Sequence, residues 1–341
     1  PVPPNPLQEL RKKDQRYLLA LARDTWRFFE HCVSAQDNHL PPDNLQMVPQ
    51  PTIAHRTSPT NIGLYLLSVV AARDFGWCGL RDALDRIEET LGTVSRMARC
   101  HGHLYNWYDT QDLRPLEPRY VSSVDSGNLA AHLITLAGAF RQWQQNPRPA
   151  AEAITGLADA LDLAHEALSQ FPFVPGQPIT REMLQTAFAD LEAALRPRDR
   201  RLDPEDDDLA IAAERASTLV DLVRALASEV HADRHTDLVY WVEATRRTID
   251  SWRSDLLARD PAGFIVEHLE ALTRQALDIA RAMQFGFLLD TQRKLLSIGY
   301  RASDGTLDSS CYDLLASEAR LASFVAISKG DIPARHWFRL G

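Results

Sequence analysis

The sequence predicts an all-α fold: an incomplete (α/α)6 toroid of helical hairpins carrying a long helical insertion. Two observations carry this. Helical segments of two kinds alternate along the chain, some with a single apolar stripe and some apolar nearly all round. Between two such pairs lies a charge-rich stretch, residues 148–258, that reads as about four long helices with no fixed period.

Taken in order, PVPPNPLQELRKKDQ at the start is an extended linker running into a helix, without the apolar core of a signal peptide. Leu40-Pro41-Pro42-Asp43-Asn44 is a rigid polar turn. Ser58 followed by Pro59 sets a helix start, with Ser58 as N-cap and Pro59 at the first helical position. The segment Ile62–Ala72 that follows has no polar face and is expected to be buried on every side. Leu80, Leu84, Ile87, Leu91, Val94 and Met97 recur at spacings of three and four, so 80–100 is an outer helix with one wet face. Residues 124–140, apolar throughout Leu129–Phe140, form its inner partner. The order repeats downstream. Ile265, Leu269, Leu272, Ala276, Ile279 and Met283 stripe an outer helix over 262–284, and 312–328 is the apolar inner one. A plain four-helix bundle would show stripes throughout. The chain therefore divides into first hairpins (1–147), a helical arm (148–258) and further hairpins (259–341).

Composition narrows the function. Apolar residues at 45% with 24% charged supply a core of useful size, and a net charge of −9 argues against a nucleic-acid or anionic-membrane surface. No run reaches the roughly 18 apolar residues of a membrane helix. Cys32, Cys78, Cys100 and Cys311 are scattered and read as reduced core residues, in a cytoplasmic setting. The acidic run at 204–208 suits a helix N-terminus better than a metal site. His101 and His103 have no third ligand nearby, so they belong to a turn. Dinucleotide, P-loop, serine-hydrolase and zincin motifs are absent, and no metal or cofactor is expected.

Polar residues concentrate just before the inner helices. They are His55–Asn61, Tyr120–Asn128, and Asp308–Asp313 with Glu318 just beyond. If the inner helices run parallel, these approaches open on one end, and one cleft collects Arg56, Asn61, Trp107, Tyr108, Asp109, Asp125 and the Glu318 region. Helix N-termini add N–H donors and positive potential there. The connection His101–Asn128 is long and aromatic, and long connections in compact domains tend to be functional. Flat rings beside Asp and Asn suit a sugar. Each residue also has a plainer reading: Trp107 and Tyr108 as corner plugs, Asp125 as a cap beside Ser122. Glu318 could be a buried partner of an arginine on another helix.

The motifs RTSPTNIGLYLLS (56–68), GHLYNWYDTQDLRPLEPRYVSSVDSGNL (102–129) and YDLLASEARLASFVAISKGDIPARHWF (312–338) closely resemble the cyclic β-1,2-glucan synthases. The match is to their middle, glycoamylase-like domain, which lies between a membrane-bound glycosyltransferase and a phosphorylase-like domain. The resemblance implies an (α/α)6 transglycosylase that closes linear β-1,2-glucan into a ring with retention. It places this domain on the cytoplasmic face of a bacterial inner membrane, beside the other two domains of the same polypeptide. Retention needs two carboxyls about 5–5.5 Å apart. The resemblance makes Glu318 the nucleophile and Asp125 a substrate-contacting acid. Arg56, Asn61, Trp107, Tyr108, Asp109, Tyr120, Asn128 and Tyr312 become substrate contacts. The family's acid/base glutamate is expected beyond the equivalent of Gly341, so this fragment is expected to bind weakly and not to turn over. The alternatives are an inverting β-1,2-glucan hydrolase of the same fold and a non-catalytic helical scaffold.

Overall fold

The computed structural model describes residues 11–145, 150–173, 176–196, 206–229, 237–258, 262–312 and 319–339. Helices dominate, joined by short two- and three-residue strands. In order they are α1 (Lys12–Cys32), α2 (Pro59–Asp74), α3 (Leu80–Arg96), α4 (Ser123–Gln145) and α5 (Ala150–Gln170). Then come α6 (Arg181–Leu195), α7 (Asp206–Glu229), α8 (Asp237–Leu257), α9 (Ala262–Ala282) and α10 (Ala319–Ser328). The mostly helical class read from the sequence is what the structure has.

The chain divides into two compact units: Pro1–Phe28 with Ala72–Asp82 and Arg148–Arg259, and Phe29–Ala71 with Ala83–Pro147 and Asp260–Gly341.

In the first unit α5 packs on α8, α8 on α7 and α7 on α6. Their shared core includes Leu161, Leu184, Phe188, Leu219, Val242, Ile249 and Trp252. Fully buried Arg23 lies over the rings of Trp77 and Trp241, at 5.7 and 5.3 Å, an arrangement that keeps a desolvated guanidinium among aromatic faces. The first turn of α3 is capped by α8. Asp255 accepts from the amides of Leu80 (2.5 Å) and Arg81 (3.0 Å), and Ser251 Oγ accepts from Gly79 N (2.8 Å). Asp255→Ala orphans two helix-terminal donors, and we expect a loss of about 2 kcal/mol, read as a lowered urea midpoint.

In the second unit the α3 stripe from Leu84 to Met97 is buried at every position, as are Leu269, Leu272, Ala276, Ile279 and Met283. Ile265 is half-buried. Helices α3 and α9 run side by side in the same direction, with Glu88 on His268 (3.1 Å) and Ser95 on Gln275 (3.1 Å). α2 and α4 are also parallel neighbours. Thr60 meets Asp125 at their N-termini, and further along (one turn on α2, two on α4) Gly63 faces His132, whose Nδ1 lies 2.3 Å from where a Cβ would sit. α4 packs in turn on α9 and α10. A Cβ on Gly127 would fall 2.5 Å from the backbone N and Cα of Ala322, so only glycine permits this approach.

One expectation is corrected here. The all-apolar helices are not buried on every side: Leu64 of α2, Ile134 of α4, and Leu321 and Phe324 of α10 are exposed, Phe324 at 64%. Their apolar surface exceeds what the neighbouring described helices cover.

The connections from α3 to α4 and from α9 to α10 contain the same turn, Asp-Thr-Gln, at 109–111 and 290–292. Asp109 Oδ1 accepts from Gln111 N and Asp112 N, and Leu113 follows with φ +64°. Asp290 Oδ1 accepts from Gln292 N and Arg293 N, and Lys294 follows with φ +61°. Each Asp carbonyl accepts from that positive-φ residue. Two connections between helices thus share one local structure.

Candidate functional site

The site assembles where α2 and α4 begin. Ser58 caps α2, its Oγ accepting from Asn61 N at 3.2 Å, with Pro59 as first helical residue. Ser122 does the same for α4, accepting from Asp125 N at 3.2 Å. The strand Arg56–Thr57 pairs antiparallel with Tyr108–Asp109, and Tyr120–Ser122 pairs with Gly299–Arg301. The first pair is pinned from below. Buried Asp37 accepts from Thr110 Oγ1 (2.5 Å) and binds His55 Nδ1 (2.7 Å).

Asp125 does not fold back to cap its own helix. Its Oδ1 accepts from Thr60 Oγ1 at 2.5 Å, and Thr60 Oγ1 accepts from Asn128 Nδ2 at 3.1 Å. The other oxygen, Oδ2, accepts from the Asn106 amide nitrogen at 2.6 Å, while the Asn106 amide oxygen accepts from the Trp107 indole N–H at 3.2 Å. The opposite amide orientation would set oxygen against carboxylate and nitrogen against N–H, so the neighbours fix it. Above Trp107 lies the Arg56 guanidinium, 4.7 Å from the ring, itself paired with Asp43 at 2.8 Å. Asp43, Arg56, Trp107, Asn106, Asp125, Thr60 and Asn128 are therefore one continuous polar network. Exposed pairs such as Arg56–Asp43 add little stability, so the arrangement is better explained by presentation of polar groups at a surface.

Tyr120 is the next wall. Its ring covers Gly299, where a Cβ would come within 2.3 Å of it, and its carbonyl accepts from Asn106 N at 2.7 Å. Burial pushes its phenol up to about 12, and the nearby Asp308 and Tyr312 add to the rise.

The structure separates the remaining expected contacts from this group. Tyr108 is fully buried; its hydroxyl donates to Ala98 O (2.5 Å) and accepts from Tyr105 N (2.8 Å). Burial raises its phenol well above the usual range. It is a core residue, because adjacent residues of an extended segment face opposite ways and Trp107 takes the outer side. Asp109 spends Oδ1 on its own turn and sits near Arg114 with Oδ2. Asn61 keeps its amide nitrogen buried, with no hydrogen-bond partner among the described residues. Glu318 and Asp313 lie outside the described residues, as do Pro204 and Glu205 of the acidic run. Sequence reasoning missed Thr60 and Asn106, which supply both hydrogen bonds to Asp125.

Among the described residues no group of acidic, histidine or cysteine side chains has metal-binding geometry, and all four cysteines are free. Ser323 Oγ lies 2.8 Å from His336 Nε2, with His336 Nδ1 on Lys294 O at 3.1 Å. That geometry resembles a nucleophile and its base, but both side chains are buried, so it serves as a latch between α10 and the short helix Ala334–Arg339.

Over 342 aligned residues, 98% of this chain, the sequence is 42% identical to cyclic β-(1,2)-glucan synthase NdvB of Rhizobium meliloti (strain 1021). The chain matches one segment of that synthase. It spans 12% of the relative's length. No family model matches the chain. Among the described residues, no helix is long and apolar enough to cross a membrane.

Proposed function

We propose that this chain forms part of the glucan-handling domain of a cyclic β-1,2-glucan synthase and binds β-1,2-linked glucose through the Asp125 network. The observation that carries the reading is a carboxylate held by two neutral donors beside an indole, in a chain that matches such a synthase along nearly its whole length. Asp125 takes hydroxyl donors, Trp107 offers its ring edge, Asn128 and Tyr120 flank it, and Tyr312 closes the side. Parallel pairing of α2 with α4 and of α3 with α9 supports an (α/α)6 arrangement, with α2, α4 and α10 as inner helices.

In the complete synthase this segment would serve retaining transglycosylation. Glu318 attacks the anomeric carbon while the synthase's acid/base glutamate, expected outside this segment, protonates the departing glucan oxygen and later takes the proton of the incoming hydroxyl, so that a glycosyl-enzyme forms between the two steps. A glucan hydroxyl then displaces the carboxylate and closes the ring. The glycosyltransferase and phosphorylase-like domains are its partners in the same polypeptide, at the cytoplasmic face of the inner membrane.

Calorimetric titration of the chain with linear β-1,2-glucan tests the binding step. We expect weak, saturable heat that Asp125→Ala reduces at least tenfold, the scale of a lost hydrogen bond to a charged group. No binding by the unsubstituted chain would sink the reading. In the full synthase, Glu318→Gln should abolish cyclic product, and unchanged ring formation would remove Glu318 from the reaction.

A further inference from the structure

The hydrogen bonds around Asp125 run in one direction. An indole N–H can only donate, so the Trp107 N–H fixes the Asn106 amide oxygen toward itself and the Asn106 nitrogen toward Asp125. On the other side the Asn128 amide nitrogen can only donate, so Thr60 Oγ1 receives from it and passes its own proton toward Asp125. Two chains that each start on an N–H donor therefore end on the two oxygens of one carboxylate. Neither neighbour offers Asp125 an acceptor. The charged members of the network besides Asp125 are Arg56 and Asp43, which pair with each other on the face of Trp107.

We propose that Asn106 and Trp107 are positioning residues that orient Asp125 and hold it as a pure hydrogen-bond acceptor, so that a ligand group reaching it must arrive as a donor. Trp107 then acts through its N–H as much as through its ring, one face of which is occupied by Arg56. This refines the proposed glucan site, on whose existence its functional part rests. It also explains why the two residues adjoin in sequence: Asn106 reaches the carboxylate, and its neighbour aligns it. A ring that merely stacks on sugar needs no such alignment.

Two substitutions separate these roles. Trp107→Phe keeps an aromatic ring and removes the N–H. We expect at least about a fivefold loss of affinity for linear β-1,2-glucan, together with exchange broadening of the Asn106 side-chain amide in 15N spectra. Asn106→Asp sets two carboxylates face to face. Binding should vanish at neutral pH and return as the pH is lowered, because a proton shared by the pair restores the donor. A purely structural role for residue 106 would leave the variant's affinity flat with pH.

A reading without ligand keeps the test independent of the glucan assignment. The 13C carboxyl resonance of Asp125, followed against pH, should shift its titration upward in Asn106→Asp. If the wild-type chain ignores glucan but this shift appears, the network stands and the substrate is wrong. If Trp107→Phe matches wild type in affinity and in the amide spectrum, or Asn106→Asp leaves the Asp125 titration unmoved, the positioning roles are overturned.

Discussion

Alanine at position 127 is expected to destabilise the unit that holds the site by about 3 kcal/mol, the upper end of what overpacking costs. Alanine at position 138, on the same helix, is expected to stabilise it by up to about 1 kcal/mol. Both positions are glycines within α4. The new methyl at 138 meets nothing within 4 Å, so it only removes backbone freedom from the unfolded chain. At 127 it meets the main chain of Ala322 at 2.5 Å, and main chain cannot rotate aside. α10 must move, and the latch that joins it to the short helix after it, Ser323 to His336, moves with it. Hydrogen exchange of peptides from α4 reads the two variants locally, avoiding the assumption that both units unfold together. Equal protection in the two variants would mean that α4 and α10 do not pack as closely as described.

The same contrast shows which parts of the fold could be read in advance. The α3 stripe was legible because a period of 3.6 encodes which face is wet, and every marked residue is buried. The start of α2 was legible because Ser58 and Pro59 act locally. Gly127 was not, since its role depends on Ala322, far along the chain. The same limit hid Thr60 and Asn106. Thr and Asn are ordinary loop and cap residues, and their bearing on Asp125 appears only when separate segments meet. Tyr108 could have been placed correctly, because a two-residue period separates it from Trp107. The repeated Asp-Thr-Gln turn also lay in plain view, but it is too short and too widely spaced for a search by fixed period. What sequence did bring together was chemistry: Arg56, Trp107, Asp125 and Asn128 share one network.

Acid should weaken this unit through His103. The ring is fully buried, T-shaped against Phe285 and Phe287, and neither nitrogen has a hydrogen-bond partner among the described residues. Burial lowers its pKa from 6.5 to about 4. The Gln284 main chain opposes this without reaching hydrogen-bond geometry, Lys329 and His101 lower it further, and Asp331 raises it. The unfolded chain therefore binds a proton that the folded chain refuses between those two values. Stability from this source is complete above pH 6.5 and is lost as pH falls toward 4. The loss reaches about 3 kcal/mol, at 1.36 kcal/mol per pKa unit. His132 and His336, also lowered chiefly by burial, add in the same direction, so the decisive quantity is a difference. His103→Leu has nearly the same volume and no proton to bind. Urea midpoints of wild type and His103→Leu should diverge in favour of the variant as pH drops from 7 to 4, and the spacing should stop growing below 4. Parallel curves across that range would show that His103 is solvated or paired, and that the aromatic box around it is not closed.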